Sequence, residues 1–404
     1  MSPAEVTARF LLAVAVAVLA ARLCGSAAVR VRQPRVVGEL FAGIVLGPSL
    51  LGALWPAAGD YLFPGDLTPA LAAVAQLGLV LFMFLVGVEL DPALLRGQRR
   101  AVAFVEIGSL VLPFVLGCGL ALWLHPRFGG GTGRLSFVLF MGAAMAITAF
   151  PVLVRILQDT GLATTPVGAV AVAAAALDDV TAWCLLAAAV AVATSSGAGD
   201  VLTTAGLTAA FVVVMVGVVR PVLRRVGNVP LPVAVALALA AAWVTEVVGV
   251  HAVFGAFVAG AVMPADRSVR SRLEGELQTV TTTILLPVFF VVVGRSVRID
   301  RMDSLYVWGV AGLVLAVAVV GKMVGATGGA LLAGLDRRDA FTLGVLMNTR
   351  GLTEIVILSV GLGLRVIDQT LFSIGVVMAL ATTVMASPLL ARRGSTVSPP
   401  PSSA

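Results

Sequence analysis

Apolar residues in this chain fall in long runs separated by short charged or Gly/Pro-rich breaks. Windows of this kind predict thirteen membrane-crossing spans: 6–29, 36–54, 69–90, 101–124, 135–157, 167–193, 201–226, 230–248, 251–264, 277–297, 305–332, 340–362 and 370–390. The ninth is the shortest. Arginine then orients the chain. Seventeen arginines, among them Arg30, Arg99, Arg224 and Arg337, fall on one set of alternating loops or beyond the last span, against seven on the other set, among them Arg9, Arg127 and Arg365. The positive-inside rule predicts the N-terminus outside and the C-terminus in the cytoplasm.

Composition agrees with the runs. The chain is 59% hydrophobic and 12% charged, with a mean hydropathy of +1.06. A soluble protein of 404 residues could not hide that much apolar surface. The expected class is an all-α polytopic protein of the cell membrane. A net charge of +6 reads as topology-setting loops, so no nucleic-acid partner is expected. The first run has no cleavage region and predicts a retained helix. Cys24, Cys118 and Cys184 lie in separate apolar runs, which implies neither a disulfide framework nor a resident metal. No cofactor is expected. Residues 1–393 read as one transmembrane domain, and the Ser/Pro-rich 394–404 as a disordered cytoplasmic tail with no soluble regulatory domain.

A few charges break the apolar pattern. Asp178 and Asp179 are the only charges of the sixth span, "AAAALDDVTAWC", roughly 17 Å from its cytoplasmic end. An ionised carboxylate at that depth costs about 2.5–3.5 kcal/mol on insertion scales, so a partner or a wet cavity is required. The only lysine of the chain, Lys322, stands in the eleventh span roughly 15 Å deep, and its depth makes it the natural partner of one aspartate. Adjacent helix positions point about 100° apart, so the other aspartate can face a cavity.

Two spans carry helix breakers at the same depth. The fifth holds "AITAFPVLVRIL", with Thr148, Ala149, Phe150 and Pro151; the twelfth holds "MNTRGLTE", with Asn348, Thr349 and Gly351. Interrupted helices at corresponding positions of two halves point to a transporter's binding site, where freed carbonyls can line a cation site. Arg350 reads as a structural charge that either Glu354, one turn later, or Glu106 of the fourth span could neutralise. Glu39, Glu89 and Asp91 read as interfacial, as do Glu246 and His251 near outer span ends.

A faint internal repeat links the halves. "GELFAG" (38–43) matches "GAFVAG" (255–260), and "LFMFLVGVEL" (81–90) matches "VFFVVVGRSV" (288–297). The pairs lie seven spans apart, so the copies would have opposite membrane orientation.

Together, "QPRVVGELFAGIVLGPSLLG", "LGLVLFMFLVGVELD", "ITAFPVLVRIL", "ALDDVTAWCLLA" and "LMNTRGLTEIVI" resemble the monovalent cation:proton antiporter-2 family over nearly the whole chain. The resemblance implies two inverted repeats with crossed broken helices, joined by a linker helix at 201–226. It also implies an ion-carrying core, 101–193 and 305–390, beside a scaffold, 6–90 and 230–297, through which the family forms homodimers. It implies that Asp179 binds cation or proton, that Asp178 pairs with Lys322, and that Thr148 with the broken-helix backbone completes the coordination. An aspartate before Asp179 resembles electrogenic members, in which the lysine pair also exchanges a proton. One departure stands out: no acid lies in the span-5 crossing to balance helix dipoles.

The expected function is exchange of Na⁺ or K⁺ for H⁺ by competition at one site, with alternating access and no enzymatic activity. Burial favours the protonated form of a carboxylate and a nearby ammonium the ionised form, so adjacent aspartates titrate as a coupled set. A cation channel is the alternative, but it calls for a continuous polar stripe, and here the polar groups converge at one depth. An intramembrane aspartyl protease needs two aspartates meeting from separate helices, which adjacent residues do not provide.

Overall fold

The computed structural model describes residues 2–31, 33–89, 98–129, 131–162, 165–194, 198–264 and 266–391. The tail expected at 394–404 and the acid Asp91 lie outside them, and the side chain of Glu89 is likewise not described.

Among the described residues the chain is all-helical, with no strand beyond one isolated bridge between Gly129 and Ile367. The first helices are α1 (Pro3–Arg30), α2 (Arg35–Val45), the short α3 (Leu51–Leu54) and α4 (Pro56–Leu62), α5 (Thr68–Glu89) and α6 (Arg99–Phe128). Then come α7 (Arg134–Ala146), α8 (Phe150–Asp159), α9 (Pro166–Thr194), α10 (Ala198–Val214), α11 (Arg220–Val226), α12 (Leu231–Val248) and α13 (Ala252–Ala261). The last are α14 (Arg267–Val280), α15 (Leu286–Arg295), α16 (Leu305–Leu332), α17 (Arg337–Met347), α18 (Leu352–Gly363) and α19 (Gln369–Ala391).

Nine helical stretches among the described residues are long and apolar enough to cross a membrane, against thirteen expected spans. The difference has local causes. The fifth and twelfth spans are each split into half-helices, and α13 has ten residues. The second ends at Val45, before "GPS", where Pro48 has no N–H to continue it. The tenth was expected to begin at 277. Its helical path starts ten residues earlier in α14, whose Arg270, Arg272, Glu274 and Glu276 keep that part out of any apolar window, and a π turn (Thr281–Leu285) carries it into α15.

Helices in lipid gain little from apolar contact with each other, so close packing of small residues decides their pairing. One such contact joins α6 to α16. A Cβ on Gly108 would lie 2.2 Å from Gly325 O, and one on Gly325 would lie 2.1 Å from Gly108 O. Neither position can carry a side chain at this separation. The contact fixes α16 one turn from Lys322.

Two further contacts involve the repeated segments. A Cβ on Gly43 of α2 would lie 2.6 Å from Phe290 O and 2.8 Å from Gly294 Cα of α15; one on Gly260 of α13 would lie 2.0 Å from Phe84 O and 2.9 Å from Gly87 Cα of α5. Each contact pairs the glycine ending one "GxxxxG" copy with the glycine of the other half's second motif.

Candidate ion-binding site

The site begins with two gaps in helices. Residues 147–149 separate α7 from α8, and 348–351 separate α17 from α18. The gaps cross, and Ala149 N–H donates to Thr349 O at 3.0 Å. The sequence offers Thr148, Ala149, Phe150 and Pro151 for the first break. The structure breaks at 147–149 only; Phe150 and Pro151 are not in the gap but begin α8, where the missing proline N–H leaves no intrahelical bond unmade.

Four half-helix ends meet here, two N-terminal and two C-terminal, and each carries unsatisfied backbone groups. Asp178 of α9 lies at the start of α8, where its Oδ2 accepts from Thr148 N–H at 2.7 Å. The Arg350 guanidinium donates to Ala144 O at 2.8 Å and to Met145 O, the last carbonyls of α7. Glu354 pairs with Arg350 and stands in the first turn of α18. The end of α17 gives Met347 O to the Thr148 hydroxyl at 2.9 Å. The crossing is therefore balanced by side chains from α9, from the opposite gap and from α18, which explains how span 5 does without its own acid.

Lys322 Nζ reaches this point from α16. It donates to Asp178 Oδ2 at 3.0 Å and to Thr148 Oγ1 at 2.7 Å. Lys322, Asp178, Thr148, Thr349, Arg350 and Glu354 are all 0% exposed, Asp179 is 1% and Asn348 2%. Asp179 follows Asp178 on α9 and so points about 100° away from the lysine-facing direction. One turn further on, Trp183 packs against Phe257 of α13, with ring centroids 6.4 Å apart, so this face of α9 looks toward α13. Asn348 Oδ1 is buried at the gap without a hydrogen-bond partner among the described residues.

Of the two acids that the sequence left open for Arg350, the structure pairs Glu354. Glu106 turns instead toward α9, where the Thr181 hydroxyl lies 3.2 Å from its Oε1. Thr181 was missed by the sequence reading. Its spacing could have found it, because a residue three positions after Asp178 shares its helix face. Thr383 was missed too; its hydroxyl donates to Arg350 O and holds the second gap from α19.

Charge is unbalanced in this buried cluster. Asp178, Asp179, Glu106 and Glu354 set four carboxyl groups against the two cations Lys322 and Arg350. With all six ionised, two negative charges remain in a low-dielectric interior, where a proton or a bound cation must offset them.

The transmembrane sodium/hydrogen exchanger family model matches residues 14–392. This chain belongs to that family. The membership agrees with the resemblance drawn from its motifs. The Na⁺/H⁺ antiporter NhaS4 of Synechocystis sp. is 39% identical over 384 residues, covering 92% of this chain and 94% of that protein. Cation/H⁺ antiporter 19 of Arabidopsis thaliana is 37% identical over 89% of this chain, and K⁺/H⁺ antiporter 1 of Saccharomyces cerevisiae 33% over 89%. The match takes in 46% and 43% of those two proteins, so the chain spans about half their length. These relatives are transporters, not enzymes. The fold is that of the sodium proton antiporter MjNhaP1 from Methanocaldococcus jannaschii, with a TM-score of 0.69 at 15% identity, covering 96% of this chain and all of that one.

Proposed function

We propose that this protein is a secondary active antiporter that exchanges Na⁺ or K⁺ for H⁺ by alternating access at Asp178, Asp179 and Lys322. The observation that carries the reading is the buried pair Lys322–Asp178 with Asp179 beside it, at the crossing of two broken helices. Its four carboxyl groups and two cations favour a site that is stable only with a proton or cation aboard.

On this reading Asp178 is the anchored acid, held by Lys322 and by Thr148 N–H, and Asp179 is the exchanging one. Thr148, Asn348 and the gap carbonyls of residues 147–149 and 348–351 supply oxygens for a dehydrated alkali ion. Cation and proton compete for the same charge. If the core moves only when the site is neutralised, uncoupled leak is avoided.

The reading includes thirteen spans in two inverted repeats, a core carrying the crossing, and a scaffold through which two copies associate. The reciprocal contacts Gly43–Gly294 and Gly260–Gly87 support the repeats, since exchanging the two halves turns one contact into the other. The arginine distribution supports a cytoplasmic C-terminus in the cell membrane.

The test is the purified protein in vesicles under an imposed pH gradient, with Na⁺, K⁺ or Li⁺ added and internal pH followed. Cation-dependent proton movement that disappears in Asp179→Asn is expected. Cation flux without proton movement would make the protein a channel instead.

A further inference from the structure

Glu106 is the one carboxyl group of the cluster that the exchange reading leaves without a task. It lies on the buried face of α6 with Val102, Val105, Ser109 and Pro113, two residues before the Gly108–Gly325 contact. Its neighbours in the cluster are 0–1% exposed, whereas Glu106 is 9% exposed. No arginine or lysine closes on it as Glu354 closes on Arg350 among the described residues. Of the helices packed against α6, α9 carries Asp178 and Asp179 and α16 carries Lys322. From α7 the sole ionisable residue is Arg134, at its first position, and α17 carries Arg337, Arg338 and Asp339 in its first turn. On its own helix, Arg100 lies over the Phe104 ring.

The hydroxyl between Glu106 and α9 is the telling contact. Thr181 Oγ1 lies 2.7 Å from Leu177 O, 3.2 Å from Asp178 O and 3.2 Å from Glu106 Oε1. A threonine hydroxyl has one hydrogen to give and two lone pairs to accept with. With Glu106 ionised, that hydrogen must be drawn from the short bond to Leu177 O. With Glu106 protonated, the carboxyl donates to Oγ1 and the bond to Leu177 O is kept. Both protonation states are accommodated by turning one hydroxyl, on the helix that carries Asp178 and Asp179.

We propose that Glu106 takes up and releases a proton during the exchange cycle, coupled to the aspartate pair through the Thr181 hydroxyl and by charge, and so sets the pH range over which the protein works. The proposal deepens the antiport reading and rests on it. Protonation of Glu106 removes a negative charge that faces Asp178 and Lys322, so the proton count of the aspartate pair depends on it.

The experiment is the vesicle assay of cation-driven pH change, run across external pH for wild type, Glu106→Gln, Glu106→Asp and Thr181→Val. Glu106→Gln is expected to move the half-maximal pH of exchange by about half a unit or more, as expected for loss of an interacting titratable group. Thr181→Val should move it in the same sense, and Glu106→Asp should restore most of the wild-type profile. A merely structural role would scale the rate equally at every pH. Profiles of Glu106→Gln and Thr181→Val that superimpose on wild type after scaling overturn the proposal. Should Glu106→Gln not fold, Thr181→Val alone decides, since it keeps the carboxyl group. A wild type without proton-coupled cation movement, or one indifferent to Asp179→Asn, fails the antiport reading itself, and that outcome is separate from any shift in profile.

Discussion

Lys322 Nζ lies 3.0 Å from Asp178 Oδ2, and both side chains are wholly buried. Two opposite charges out of water hold each other in place, and neither tolerates the loss of its partner. The Thr148 hydroxyl and N–H fill hydrogen-bonding capacity that the pair leaves over, tying the α16–α9 contact to the gap before α8.

Removing the ammonium alone should therefore be worse than removing both charges. Lys322→Met leaves a buried carboxylate facing an apolar chain, a loss of about 3–5 kcal/mol when one partner of a buried pair is deleted. Adding Asp178→Asn to Lys322→Met should recover much of that loss. Melting temperatures in detergent for the two single variants and the double variant test this. A double variant no more stable than Lys322→Met would mean that the pair contributes little.

Arg350 is expected to matter for folding rather than for the ion. Its guanidinium serves the last carbonyls of α7 and Glu354 together, a fork that an ammonium cannot reproduce. Arg350→Lys should lower the melting temperature clearly. Arg350→Ala should cost about 3–5 kcal/mol or prevent folding, since it strands Glu354 and two carbonyls. Glu354→Gln keeps a hydrogen-bond acceptor for Arg350 and should be milder. Equal stability of Arg350→Lys and wild type would contradict this account.

The charged part of the site was the most legible from the sequence. A lone lysine and an aspartate pair stand out because ionised groups are so costly in apolar helices, and matched depth followed from counting residues. The breakers at 148–151 and 348–351 were visible for a related reason, since Pro, Gly and Asn fit poorly into helices. Which way a side chain points was not legible. Glu106 was a candidate for Arg350 because both lie within the membrane, yet its direction depends on how α6 crosses α16, and that is fixed by Gly108 and Gly325 meeting in three dimensions. The start of the tenth span was hidden for another reason. Apolar windows report lipid contact, and the first turns of α14 are helical but charged.

The α6–α16 contact gives a last prediction, drawn from two adjacent glycines. A Cβ on Gly329 would lie 2.0 Å from Phe104 O and 2.7 Å from its carbonyl carbon, whereas a Cβ on Gly328 would meet nothing within 4 Å. Both sit in the interior of α16, so helix propensity treats them alike and favours alanine by about 1 kcal/mol or less. Packing separates them. Gly329→Ala must push α16 away from α6 backbone, a strain of about 1–3 kcal/mol for overpacking. The displaced helix carries Lys322 two turns away, so Nζ should lose its fit to Asp178 and Thr148. Gly329→Ala is thus expected to lower both melting temperature and cation-coupled proton movement. Gly328→Ala should leave exchange intact and stability equal or slightly higher. Parallel melting curves and vesicle assays on the two variants check this, and matching behaviour would mean that the glycine contact does not hold the lysine in place.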